Sequence, residues 1–82
     1  MPYFYLARCS DTSLYSGSCI DLKAREAKHN EGKGAKYTRS RRPIAIIYHE
    51  EFALLKDARH REAEVKTWSK AEKEKLVTLS DT

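Results

Sequence analysis

The chain has 82 residues, 16 Lys and Arg against 12 Asp and Glu for a net charge of +4, and 40% hydrophobic residues. A chain this short buries only about 60–65% of its unfolded surface, which leaves room for one small domain, taken as 1–82, and none for a separate recognition domain. The hydrophobic share excludes a disordered segment, no apolar run nears the roughly 20 residues of a bilayer span, and the mild basic excess favours a polyanionic partner without requiring one.

In chain order, the opening "MPYFYLARCSD" lacks the basic stretch and apolar run of a secretory leader, so a cytoplasmic location is expected. Tyr3 to Cys9 is aromatic-rich and reads as a strand, "SDTS" as a turn, and Leu14 to Ile20 as the return strand of a hairpin. Asp21 suits the N-cap of a helix from Leu22 to Asn30, which Gly32 stops. Lys33 to Pro43 reads as a loop, Ile44 to Glu51 as a third strand, and Leu54 to Thr67 as a second helix. Ser69 and Glu72 fit a capping box, with Leu76 and Leu79 continuing a last helix. The order strand-strand-helix-strand-helix-helix predicts an α+β fold, a three-stranded antiparallel sheet with helices packed on it. Cys9 and Cys19 fall in the paired strands, each opposite a tyrosine region, so free thiols are expected; their spacing carries no zinc pattern.

Four features carry candidate chemistry. Leu22, Arg25 and His29 share one helix face, and spacing alone lets Arg25 and His29 flank the buried stripe and reach outward. In the second helix, Glu62 falls within the inward stripe Leu55, Ala58, Val65, whereas Arg59, Arg61, Glu64 and Lys66 lie off it. A carboxylate there costs several kcal/mol unless it is paired, as with a nearby Arg, or holds a hard cation such as Mg²⁺. The third feature is the loop, where Lys33, Lys36, Arg39, Arg41 and Arg42 surround Tyr37 without one acid. Such a surface suits a phosphate backbone and an unstacked base, although solvated charge runs are ordinary. Finally, strand parity puts Tyr3 and Tyr5 on one face and Tyr15 with Gly17 on one face of the partner strand. Glycine inside a strand often marks the close approach of another group.

From Tyr3 to Val77 the chain resembles the GIY-YIG endonuclease family, in its small stand-alone bacterial form. Tyr3-Phe4-Tyr5 stands at the first signature triplet and Tyr15-Ser16-Gly17 at the second. "DLKAREAKHN" places Arg25 at the essential arginine and His29 at a histidine found in many members, and "ARHREAEVKTWSKAEKEKLV" places Glu62 at the metal-binding glutamate. Tyr3 replaces the usual glycine, Ser16 an aliphatic residue, and Leu54 and Leu55 stand where a cap former is common.

The resemblance implies phosphodiester hydrolysis with one divalent ion, Mg²⁺ or Mn²⁺. Its catalytic set would be Tyr5, Tyr15, Arg25, His29 and Glu62, with Glu62 as metal ligand. Tyr5 would be the general base, its pKa lowered by nearby cations, and Tyr15 would orient the water. Arg25 would fork onto phosphoryl oxygens in a way lysine cannot copy. His29 would hold a phosphate or assist proton transfer. Gly17 would let the phosphate near the sheet, while Lys33, Lys36, Tyr37, Arg39, Arg41 and Arg42 would grip the strand. The implied enzyme is a structure-selective or weakly specific endonuclease of repair or recombination type, acting on DNA in preference to RNA. Lacking a second domain, it would have poor sequence specificity unless a protein partner supplied it. The alternatives are a nucleic-acid-binding module with weak or lost catalysis and a protein-interaction domain. The enzyme reading requires Glu62 to turn toward the same hollow as Arg25 and the phenols.

Overall fold

The computed structural model describes residues 1–80, so the last two residues of the expected 1–82 span lie outside the described residues. Strand β1 (Tyr3–Arg8) pairs antiparallel with β2 (Leu14–Cys19) on one side and β3 (Ala45–Glu51) on the other, giving the sheet order β2-β1-β3. Phe4, Tyr5, Leu6 and Ala7 are all fully buried, because the central strand is covered on both faces. Each large apolar side chain so buried contributes about 1.5–3 kcal/mol, which makes β1 the spine of the core. Strands β2 and β3 are edges. The β1–β2 turn is tied by the Cys9 N–H donating to the Ser13 carbonyl at 2.9 Å, and Thr12 takes a positive φ of 70° within it. Cys9 and Cys19 are free and buried, and burial pushes both thiols up.

Helix α1 (Leu22–Asn30) begins where sequence chemistry places it, with the Asp21 carboxylate accepting the Ala24 N–H at 3.0 Å. Gly32, at φ 79°, turns the chain out of the helix, and the Lys33 N–H closes on the Lys28 carbonyl at 3.0 Å. The Asn30 side chain then clasps Ile44, donating to its carbonyl at 2.8 Å and accepting its N–H at 2.7 Å. That clasp shuts the long connection against the helix end.

The connection differs from expectation. It contains a single helical turn, α2 (Lys36–Arg39), where the sequence reads only as loop. So short a turn is not self-supporting. It is held by the buried Thr38 side chain and by the Arg42 guanidinium donating to the carbonyls of Arg39 and Asn30.

Helix α3 (Leu55–Lys66) starts at Leu54 without a side-chain cap, as its leucines foretell. Helix α4 (Lys70–Ser80) starts on the expected capping box: Glu72 N–H donates to Ser69 Oγ at 3.2 Å, and Ser69 N–H donates to Glu72 Oε1 at 3.1 Å. The sheet separates two apolar layers. Tyr5, Ala7, Cys19 and Ile44 pack with Leu22 of α1 on one face; Phe4, Leu6 and Val65 of α3 pack with Tyr48, Trp68 and Leu76 on the other. Arg61, which the helical pattern leaves without a role, belongs to the second layer. Its guanidinium pairs with Glu50 at 2.9 Å and lies over the rings of Trp68 and Phe4 at 5.1 and 5.8 Å.

Candidate active site

Register explains why the two phenols meet. Tyr5 pairs with Gly17, and Ala7 with Tyr15, so both tyrosines stand diagonally on the face that α1 covers. His29, in the last turn of α1, lies edge-on to both rings, with centroids 6.0 Å from Tyr5 and 5.4 Å from Tyr15. Its Nε2 is 2.8 Å from Tyr5 Oη and its Nδ1 is 2.9 Å from Thr38 Oγ1. Thr38 donates its one hydroxyl proton to the Ala35 carbonyl at 2.9 Å, so it can only accept from His29. Hydrogen bonding therefore assigns the proton of neutral His29 to Nδ1 and makes Nε2 the acceptor for the Tyr5 hydroxyl. Burial first, then the Arg25 charge, lowers the His29 pKa, which keeps the ring neutral near pH 7.

Three expectations change here. His29 does not flank its helix stripe: it is 1% exposed, roofed by α2 and by Gly34, where a Cβ would sit 2.2 Å from Nδ1. The group that comes close at Gly17 is Tyr5, since a Cβ there would fall 2.5 Å from both Cζ and Oη of that ring. Nor is the Tyr5 pKa lowered on balance. Burial and the neighbouring Tyr15 raise it, and outweigh Arg25.

Arg25 and Glu62 reach this region from opposite layers. Half-buried Arg25 points Nη1 at the Ser18 carbonyl, 3.4 Å away, from the α1 side. From the α3 side, Glu62 accepts the Ser18 hydroxyl on Oε1 at 2.7 Å and pairs through Oε2 with Lys66 Nζ at 2.7 Å. Lys66 in turn lies 5.9 Å from the Tyr15 ring. The partner expected for Glu62 was an arginine; serine and the lysine one turn on take that place. Because β2 is an edge strand, groups from both faces wrap around it, and Ser18 touches both.

Two hollows flank Tyr15. One, of about 330 Å³, is lined by Tyr15, Arg25, Lys28, His29 and Lys33; the other, of about 240 Å³, by Tyr15, Ser16, Tyr37, Lys66 and Lys73. The expected single hollow is thus two, and Glu62 lines neither; its contact Lys66 does.

The basic loop divides by function. Lys36 and Arg39 are exposed and have no ion-pair partner among the described residues. Arg41 pairs with Asp11 at 2.9 Å and lies 3.9 Å over the Tyr37 ring, while Arg42 serves backbone carbonyls and Lys33 sits 3.8 Å from Glu31. Tyr37 stacks on Tyr15 with centroids 5.9 Å apart, so it already walls the second hollow. Thr38, Gly34 and Ser18 carry no sequence signal for these contacts; Lys66 does, standing four residues beyond Glu62.

Were Glu62 to take a metal, it would do so without a protein cage. Among the described residues no three His, Cys, Asp or Glu side chains cluster. One carboxylate at a solvent-accessible edge fits a hard ion that keeps several waters and takes substrate oxygens, and does not fit a closed protein cage. No described helix is long and apolar enough to cross a membrane.

The chain is similar in sequence and fold to known proteins. A family model described as the GIY-YIG catalytic domain matches residues 1–75. The chain is 47% identical over 75 residues to UPF0213 protein SH2523 of Staphylococcus haemolyticus, covering 92% of each. It is 50% identical over 75 residues to a UPF0213 protein of Bacillus pumilus, covering 92% of this chain and 76% of that one. Among solved structures it is similar to the solution NMR structure of UPF0213 protein BH0048 from Bacillus halodurans, with TM-score 0.60, 42% identity, and 96% and 85% of the two chains covered. Protein EF2693 from E. faecalis, also solved by NMR, gives TM-score 0.61 at 34% identity, with 96% and 84% covered.

Proposed function

The chain belongs to the GIY-YIG family, and from that premise we propose that it is a single-domain, metal-dependent endonuclease of weak sequence specificity, acting on DNA in repair or recombination. The family implies a nuclease-type activity on nucleic acid; the metal, the choice of DNA and the residue roles are this proposal's own. The shared hollow is absent, yet the groups do not face opposite sides of the molecule. At the β2 edge Ser18 touches both Arg25 and Glu62, one residue from Gly17, the strand partner of Tyr5, and that convergence carries the proposal.

Attack of water on phosphorus builds negative charge on the phosphoryl and leaving oxygens and requires a proton acceptor. Arg25, at the mouth of the first hollow, places its fork on the phosphoryl oxygens. Tyr5 cannot act as a standing phenolate, because burial holds its proton. It acts with His29: as Tyr5 Oη takes the proton of water, its own proton passes along the 2.8 Å bond to Nε2. Neutral His29 is free to receive that proton, and Thr38 keeps the ring in register. Glu62 would hold Mg²⁺ or Mn²⁺, which supplies positive charge to the phosphoryl and leaving oxygens. Lys36 and Arg39 bind the strand away from the centre.

A second reading gives the base role to Tyr15, because Tyr15 lines both hollows whereas Tyr5 lines neither. Cleavage lost in Tyr15→Phe but kept in Tyr5→Phe would select it. The proposal itself is tested with purified protein, Mg²⁺ or Mn²⁺, and a panel of single-stranded, duplex, flapped and branched DNA. Glu62→Gln should abolish cleavage while binding survives. If the parent binds the panel but cuts none of it with either metal, the chain is a binding module.

A further inference from the structure

The hollow between Tyr15, Tyr37 and the lysines of α3 and α4 is left without a task by the mechanism above. Among its lining residues is Ser16, whose buried hydroxyl has no hydrogen-bond partner. Such a group is costly unless something completes it. Its rim carries two cations. Lys73 has no carboxylate partner among the described residues, and the Lys66 side chain is half-exposed on a flexible stem. The wall is the stacked Tyr15–Tyr37 pair, fixed by Arg41 over Tyr37. A stacked aromatic wall and two ammonium groups beside an unsatisfied hydroxyl form a combination that recognises an anionic oxygen.

Lys66 also belongs to a second relationship. Its ammonium lies on Oε2 of Glu62 while Ser18 occupies Oε1, so both carboxylate oxygens are engaged. A divalent ion on Glu62 would meet a like charge within a few ångströms. The same flexible side chain lines the neighbouring hollow, where a phosphate would attract it.

We propose that this hollow is a second backbone-phosphate subsite of the nucleic acid, and that filling it draws Lys66 from Glu62 onto the phosphate, opening the carboxylate to the divalent ion. Strand and metal then bind cooperatively, and by linkage each raises the affinity for the other. The scissile phosphate lies at Tyr15, between the Arg25–Lys28–Lys33 hollow and this one. The inference rests on Glu62 being the metal carboxylate, and the experiment separates the two.

Two titrations on the full chain decide it. Binding of labelled duplex DNA in EDTA at several salt concentrations should show Lys73→Ala and Lys66→Met each lowering the log–log salt slope, by about 0.9 together, the share of the one phosphate contact they divide. Lys75→Ala, two residues along α4 and outside the hollow, should leave it unchanged. Mn²⁺ binding without DNA, followed by EPR, should be about two- to five-fold tighter in Lys66→Met than in the parent, the size expected for loss of a half-exposed ion pair. Adding Glu62→Gln should remove that gain. If Mn²⁺ affinity responds to Glu62→Gln but not to Lys66→Met, the exchange is overturned and the metal carboxylate stands. If it responds to neither, or no Mn²⁺ binds, both fall. An unchanged salt slope in Lys73→Ala and Lys66→Met overturns the subsite.

Discussion

Gly17→Ala separates two explanations for one glycine. A Cβ built there meets Tyr5 Cζ and Oη at 2.5 Å and Cε2 at 2.8 Å, all inside the closest distance real Cβ atoms adopt. Tyr5 has little freedom to retreat: it is fully buried on the central strand, and its hydroxyl is bonded to a histidine that is 1% exposed. Overpacking of this kind costs about 1–3 kcal/mol. Displacing the phenol also strands the buried His29 acceptor, worth about 1–3 kcal/mol. Reduced unfolded-state entropy returns about 0.4–1 kcal/mol. The net loss is about 1–5 kcal/mol. For a domain of this length that lowers the melting temperature by about 5–30 °C, readable by circular dichroism. Tyr5→Phe removes one of the clashing atoms, so Gly17→Ala should cost less in that background than in the parent, a positive coupling in a double-mutant cycle. Were Gly17 instead a doorway for phosphate, Gly17→Ala would melt within about 2 °C of the parent and lose DNA affinity. That result would refute the packing argument.

Arg25→Lys should lose at least ten-fold in cleavage rate with DNA binding retained within a few-fold, because one ammonium cannot span two phosphoryl oxygens; equal turnover would remove the fork from the mechanism. Lys36→Ala with Arg39→Ala should weaken binding and reduce its salt slope by up to about two contacts, whereas Arg42→Ala should instead destabilise the fold, since its guanidinium serves the Arg39 and Asn30 carbonyls. Thr38→Val should destabilise by about 1–3 kcal/mol in urea unfolding by leaving the His29 N–H unpaired, and Thr38→Ser should recover most of it. Acid sensitivity should follow from His29. Its pKa is lowered in the fold, so below the ordinary histidine value of about 6.5 the unfolded chain takes a proton that the native ring refuses. Stability then falls as pH drops below that point, by at most about 1.4 kcal/mol per pH unit for one group. His29→Gln should flatten this slope between about pH 6.5 and 5, above the range in which Glu74 and Asp11, both held down by partners, begin to titrate. An unaltered slope would show that another group sets it.

Local chemistry is written plainly in this chain. Asp21 before Leu22, Gly32 after Asn30, and Ser69 with Glu72 each act within a few residues of themselves, so α1 begins and ends, and α4 begins, where the caps say. The hairpin and its tyrosine parity follow from period-two geometry, and the names Tyr5, Tyr15, Arg25, His29 and Glu62 could be assembled by resemblance before any coordinates. What they do to one another could not. That Gly17 accommodates Tyr5 depends on strand register, which is set between strands. His29 is buried because Thr38 and Gly34, in a stretch without periodicity, fold back over it. Arg25 and Glu62 lie on helices covering opposite faces of the sheet, and they reach one region only because β2 is at its edge, with Ser18 accessible from both sides. Caps and periodicity are forces between chain neighbours and survive in a linear text; register, edge position and the charge that sits on a carboxylate depend on which distant segments pack together.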